Sequence, residues 1–154
     1  MKTPGAALVP SAFFDPDHVG ASLSEVVTLD GGDQVSYVDV PEYDAKLLYV
    51  KTAGEEAPPE LYHVLEDLKR CGDYNKIVAS WSEGLLSLAV ARGRDLLLAN
   101  VYEAADFTTA EYFIFLALKK LQLNPEVSTI SFRTPLSEEE RMSLYRYFKS
   151  VEQL

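Results

Sequence analysis

The clearest strand-like apolar runs lie between Lys76 and Tyr102. Three runs rich in Leu, Val and Ala, at about residues 76–81, 85–92 and 95–102, are separated by very short turns containing Gly84 and Gly93. They predict a meander of three strands. The stretch DFTTAEYFIFLALKKLQLNP follows, where the period changes to that of a helix, with Thr108 and Glu111 as a capping box and Phe107 and Tyr112 as a hydrophobic staple. Asn124-Pro125 stops it. EVSTISFRT then predicts a fourth strand. LSEEERMSLYRYFKSVEQL predicts a last helix, with Ser137 and Glu140 as a second capping box and Leu144, Phe148 and Val151 as its buried stripe. The expected order in this half is therefore β-β-β-α-β-α. Residues 113–118 make the first of these helices apolar almost all round, which requires cover on more than one side.

The N-terminal half carries shorter signals. A strand is expected at residues 6–9, and Asp15 caps a helix that starts at Pro16 with Val19, Leu23 and Val26 as its stripe. Val35, Tyr37 and Val38 to Val40 form a second strand, and residues 47–50 a third beyond Pro41. A helix then runs from Pro58-Pro59 to Gly72 on the buried residues Leu61, Val64, Leu65 and Leu68. Two lobes result, residues 1–74 and 75–154.

Composition narrows the function classes. At 154 residues, with 47% apolar and 25% charged residues, the chain is long enough to bury about two-thirds of its unfolded surface and fold as an ordinary globular protein. The net charge of −10, with no basic run longer than Lys119-Lys120, repels a phosphate backbone and argues against nucleic acid as a partner. A single cysteine makes no internal disulfide and fits a reducing compartment. Pro4, Pro10 and Asp15 break the N-terminal apolar run as a leader, no stretch is apolar for long enough to span a bilayer, and the expected location is cytoplasmic.

Three antiparallel strands, a helix, a strand and a helix is the order of the ribonuclease H-like module, which recurs twice in actin-like ATPases. More closely, LVPSAFFD, RDLLLANVYEAADFTTAEYFIFLALKKLQLNP and LYRYFKSV resemble a bacterial family whose members have an actin-like ATPase fold and no assigned activity. The resemblance implies an α/β fold: a ribonuclease H-like module preceded by a smaller α/β lobe. It transfers no catalytic residue. Members of that family also carry a strand hairpin ahead of LVPSAFF, so the first lobe is expected to be incomplete here, with an exposed strand edge open to dimerisation or strand donation.

The resemblance directs attention to phosphate loops. Actin-like ATPases hold phosphates on the turn between the first two strands of each lobe, through backbone N–H groups and an Asp that orients Mg²⁺. Here that turn is Ser80-Trp81-Ser82-Glu83-Gly84, with one glycine, a bulky Trp81 and no Asp. A plain hairpin explains Gly84 as well. The second loop, Asp30-Gly31-Gly32-Asp33, could hold Mg²⁺ or phosphate or simply join two elements. If ATP and Mg²⁺ bind, then Ser82, Gly84 and the loop from Asp30 to Asp33 converge on one cleft between the lobes.

Other chemistry is thinly represented. A ribonuclease H-type nuclease needs an acid on its first strand, and KIVASW has none. Glu60 and His63, three apart on a helix, supply two metal ligands where a closed site takes four, and His18 reads as a helix-start residue. Cys71 lies at a helix C-terminus, whose dipole raises a thiol pKa. No Gly-x-Ser-x-Gly elbow is present. The aromatics of EYFIFLAL and LYRYFKS read as core, or as an interface with a protein partner or a second copy. The chain thus reads as a degenerate actin-like, non-catalytic interaction or scaffolding module, with a nucleotide-binding or ATP-hydrolysing protein as the alternative.

Overall fold

A computed structural model describes residues 6–10, 34–43, 45–51 and 59–154. The helix expected from Pro16, His18 and the loop from Asp30 to Asp33 lie outside the described residues.

The first sheet is antiparallel, in the order β1 (Ala6–Pro10), β3 (Ala45–Lys51), β2 (Gln34–Val40). A single 3-10 turn at Pro41–Tyr43 joins β2 to β3, as the proline suggested. Helix α1 (Glu60–Arg70) follows, then β4 (Asn75–Ser82), β5 (Leu85–Arg92), β6 (Asp95–Glu103), α2 (Phe107–Lys120), β7 (Thr129–Phe132), α3 (Glu138–Tyr145) and β8 (Ser150–Gln153). Their five strands form one mixed sheet ordered β6-β5-β4-β7-β8. The meander β4-β5-β6 is antiparallel, while β7 and β8 run parallel to β4 because a helix crosses over before each.

The pleat sends alternate side chains to two cores. Ile77, Ala79, Leu86, Leu88, Val90, Ile130 and Phe132 meet Ala110, Ile114 and Leu118 of α2, with Leu144 of α3 beside them. On the opposite face Val78, Ala89 and Ala91 meet Leu61, Val64, Leu65 and Leu68 of α1, and the same cluster takes in Val40 and Leu47 of the first sheet. Helix α1 therefore packs on the larger sheet with the stripe that its sequence predicted, in a buried cluster shared with the first sheet.

Two expectations are corrected. The last segment is not one helix from Ser137 to the end: α3 stops at Tyr145 and the chain returns as β8, making the order β-β-β-α-β-α-β. Phe148 and Val151 are buried as expected, but through a turn, in which the Tyr147 and Phe148 N–H groups both donate to Leu144 O, and then a strand. The strand wins because β7 offers a ladder: Leu154 N donates to Phe132 O at 2.9 Å, and Gln153 Nε2 donates to Phe132 O and Thr134 O. At the other helix, the cap of α2 is Asp106 and not Thr108; the Asp106 carboxylate accepts from Thr109 N at 2.7 Å. Starting earlier makes Phe107 the first helical residue, so no staple with Tyr112 forms. Phe107 packs instead edge-on against Trp81, with centroids 5.7 Å apart, and beside Phe132. The second capping box, Ser137 with Glu140, is present with both of its bonds.

The outer strands carry side-chain plugs. Asn100 Oδ1 accepts from Val101 N on β6 at 2.9 Å, and the Tyr145 hydroxyl donates to Val151 O on β8 at 3.3 Å. Because Val151 is 4% exposed although β8 is an outer strand, Val151→Asp is expected to cost about 3 kcal/mol or more by burying an unpaired charge. The exposed neighbour change Glu152→Ala should stay within about 0.5 kcal/mol. Urea unfolding of the two variants checks this; similar small losses would mean that residues 150–153 are not part of the sheet.

Candidate functional site

At the carboxyl end of β4 lies the turn that the sequence singled out. Ser82 pairs with Leu85, leaving Glu83 and Gly84 as a two-residue loop with φ of 53° and 76°. Two successive positive φ values define a type I′ turn, whose twist matches that of the strands it joins. Gly84 tolerates this at no cost, whereas Glu83 adopts a left-handed backbone that L side chains rarely take. Gly84 O accepts from Ala104 N at 2.8 Å, tying the turn to the end of β6. Trp81 belongs to the strand: its N–H donates to Thr134 Oγ1 at 3.0 Å and its indole N–H to Ala104 O at 2.9 Å. Asp30, Gly31, Gly32 and Asp33, the other half of the expected cleft, lie outside the described residues.

The loops at this end, residues 82–85, 103–107 and 132–137, contain Glu83, Glu103 and Asp106 and one cation, Arg133. That cation is engaged. Its Nε donates to Glu60 Oε1 at 3.3 Å and its Nη1 to Asp67 Oδ2, while Ser80 Oγ donates to Glu60 Oε2 at 2.7 Å. Partial burial works against the guanidinium charge, but the Asp67 and Glu60 carboxylates outweigh it and raise its pKa. The arrangement pins α1 across the ends of β4 and β7. Its members are 66 and 73 residues apart in the chain, so sequence reading missed it; the only signal was a lone Arg just after a strand, in SFRT.

The remaining sequence candidates have ordinary surroundings. Glu60 is turned to Ser80 and Arg133, and His63 packs edge-on against Tyr62. Among the described residues no three His, Cys, Asp or Glu side chains are grouped to hold a metal ion. The Cys71 thiol has its pKa raised, as expected, though chiefly by burial, with the Asp73 carboxylate adding to it.

The outward side of α2 is different in kind. Ala110, Ile114, Ala117 and Leu118 are spent on the sheet, Phe113 stacks on Tyr102 with centroids 4.8 Å apart, and Phe115 packs against Tyr147 and Phe148 of the turn after α3. Tyr112, four residues before Leu116, is 59% exposed, while Leu116 itself is partly buried. Tyr147 is 50% exposed and Met142 on α3 is 56%. The second cover that the all-round apolar pattern called for is thus only partly supplied by the described residues. An aromatic strip, Tyr102, Phe113, Tyr112, Phe115 and Tyr147, crosses the outside of the molecule.

Residues 60–151 match the family model described as protein of unknown function (DUF3822), and the chain belongs to that family. No curated protein matches it. Among solved structures, it is similar to a Bacteroides thetaiotaomicron protein described as having an actin-like ATPase fold and unknown function. The TM-score is 0.81 at 16% identity, over 99% of this chain and 65% of that one. The fold is actin-like α/β, as the resemblance implied, and the chain spans somewhat less than two-thirds of that protein's length.

Removing the central cation by Arg133→Met leaves two carboxylates facing each other, and is expected to cost about 1–3 kcal/mol in urea unfolding. Replacing Glu60 and Asp67 with apolar residues in the same chain should restore most of it; a loss that persists would mean the cluster is not what the cation supports. On α2, burial raises the Glu111 pKa, while Ser143 Oγ, donating to its carboxylate at 3.1 Å, opposes the shift. A raised folded value favours the protonated acid in the folded state. Its contribution is full below the ordinary glutamate pKa and fades as pH rises through the folded value. Glu111→Gln should therefore flatten the stability–pH curve just above the ordinary glutamate range, as thermal unfolding between acid and neutral pH would read.

Proposed function

We propose that this protein is a non-catalytic interaction module of the bacterial cytoplasm, and that it engages a protein partner or a second copy through the outer face of α2. The observation that carries this reading is the aromatic strip around Tyr112 and Leu116. Tyr and Phe are enriched at interface cores, where a large flat side chain loses little conformational entropy on docking. The turn at Ser82–Gly84 fits the same reading, since a type I′ hairpin explains its glycine without a ligand. Nucleotide binding by Ser82, Gly84 and the Asp30–Asp33 loop, with ATP and Mg²⁺, is the second reading; the shared actin-like ATPase fold favours it. In that case the loops are diverged forms of phosphate loops.

Thermal unfolding with Mg²⁺ and a panel of nucleotides separates the two. A ligand at about 100 times its Kd adds roughly 2.7 kcal/mol to the folded state, enough to raise the midpoint by several degrees. The expected result is no shift, and a shift selective for ATP or ADP would overturn the interaction reading. In parallel, a photo-crosslinker at position 113 should give a discrete protein adduct in cells. Tyr112→Asp should abolish that adduct while leaving the unfolding midpoint nearly unchanged, because its side chain is exposed.

A further inference from the structure

The outer face of α2 does not end in solvent-neutral surface. Lys119 and Lys120 lie three and four residues beyond Leu116, so the apolar side of the helix runs into a pair of exposed cations at its C-terminus. Arg92 Nη2 donates to Leu121 O at 3.5 Å, which brings the β5–β6 turn, with Arg94, against this helix end. Neither Arg94, Lys119 nor Lys120 makes an ion pair with a described residue. In a chain of net charge −10, these unpaired cations stand together at the amino end of β4.

An aromatic is held out among them. Gly93 N donates to Tyr74 O at 2.8 Å, and a side chain on Gly93, which has φ of +61°, would meet the Tyr74 ring at 3.2 Å. The glycine thus gives the ring a seat on the turn, while 69% of Tyr74 remains exposed. A ring fixed by backbone contact and left in water is pre-organised for a partner, because little side-chain entropy is lost when something covers it.

We propose that this end of the molecule, continuous with the outer face of α2, docks an acidic polypeptide segment that carries apolar anchors. The anchors pack on Tyr112, Leu116 and Tyr74, and the acidic side chains pair with Arg94, Lys119 and Lys120. The proposal deepens the interaction reading above and rests on it for the apolar half of the contact. A polypeptide suits the surface better than an extended phosphate array or anionic membrane, because Asp73 and Asp95 are interspersed with the cations and would repel a uniform sheet of negative charge. A second copy of this chain is the competing occupant that the test distinguishes: at its other end Asp106 and Glu140 are committed to capping Thr109 N and Ser137 N, while Glu83 and Glu103 cap no helix.

The test uses the whole chain and a fluorescently labelled synthetic peptide of Glu and Leu at amphipathic helical spacing, with a Lys-for-Glu counterpart and phosphatidylserine vesicles as comparators. The expected result is binding of the acidic peptide alone, weakening as salt rises. Arg94→Glu with Lys119→Glu and Lys120→Glu should reduce affinity about tenfold or more; all three are exposed, so the urea midpoint should fall only by the small amount that losing two cations at the end of α2 costs. Equal affinity of that variant, binding of the Lys peptide as tightly, or preference for the vesicles would overturn the proposal. So would concentration-dependent self-association that the charge reversal abolishes, which would identify a second copy as the occupant. Tyr112→Asp keeps the two readings apart. Loss of binding there with none on charge reversal sinks the acidic-segment proposal and leaves the interaction reading. Loss on charge reversal alone supports the acidic segment and removes the outer face of α2 from the contact.

Discussion

Helix α1 covers the face of the larger sheet that α2 and α3 leave open, and its buried cluster extends to the smaller sheet. Its four apolar residues, Leu61, Val64, Leu65 and Leu68, are buried against Val78, Ala89 and Ala91 of the larger sheet and Val40 and Leu47 of the smaller one. Burying side chains of this kind is worth about 1.5–3 kcal/mol each. Small residues make the fit possible: Ser80, Ser87, Ala89 and Ala91 line the face beneath the helix, so the helix can sit close to the strands. The Arg133 cluster fixes how far along the strands it lies. Packing alone would let a helix slide over a surface of alanines and serines, whereas paired charges at one end set a register.

The three helices share a direction. Each leaves the carboxyl end of the parallel strands and finishes at the amino end, since α1 leads into β4, α2 follows β6, and α3 crosses from β7 to β8. Acidic residues sit at their starts, with Asp106 and Glu138 to Glu140 in α2 and α3, and basic ones at the ends of α1 and α2, Lys69, Arg70, Lys119 and Lys120. Each placement complements a helix dipole locally. Because the helices are aligned, these local choices gather, among the described residues, acids at the starts of α2 and α3 and cations at the ends of α1 and α2 on opposite ends of the larger sheet. Net charge alone hides this, and it is why a strongly acidic chain can still present a basic surface.

Most of the fold could be read from local pattern because most of it is locally encoded. The meander follows from short apolar runs and two glycine turns, and the helices from punctuation and caps. Where the sequence misled, two local signals competed and a distant partner decided. Asp106 and Thr108 can each cap a helix, and the earlier one prevails because it delivers Phe107 to Trp81 and Phe132. Val151 falls in step with Leu144 and Phe148 as if on one helix, yet β7, some twenty residues earlier, offers hydrogen bonds that a helix end could not. A four-residue strand has too few positions to display a period of two. The Arg133 cluster joins parts of the chain that share no pattern at all. The aromatic strip on α2 was visible in the sequence as an excess of apolar residues, although which of them would stay outside depended on the turn after α3.

The side-chain plugs on β6 and β8 bear on how the protein survives at high concentration. An open mixed sheet has two margins, and an unguarded margin is a template on which another chain can crystallise strand by strand. Among the described residues, Asn100 occupies one N–H on β6 and Tyr145 one carbonyl on β8, so at those two points the backbone offers no free group to an arriving strand. Contacts of this molecule are thereby steered away from its backbone and onto its side chains, which can choose among partners in a way that a row of amides cannot.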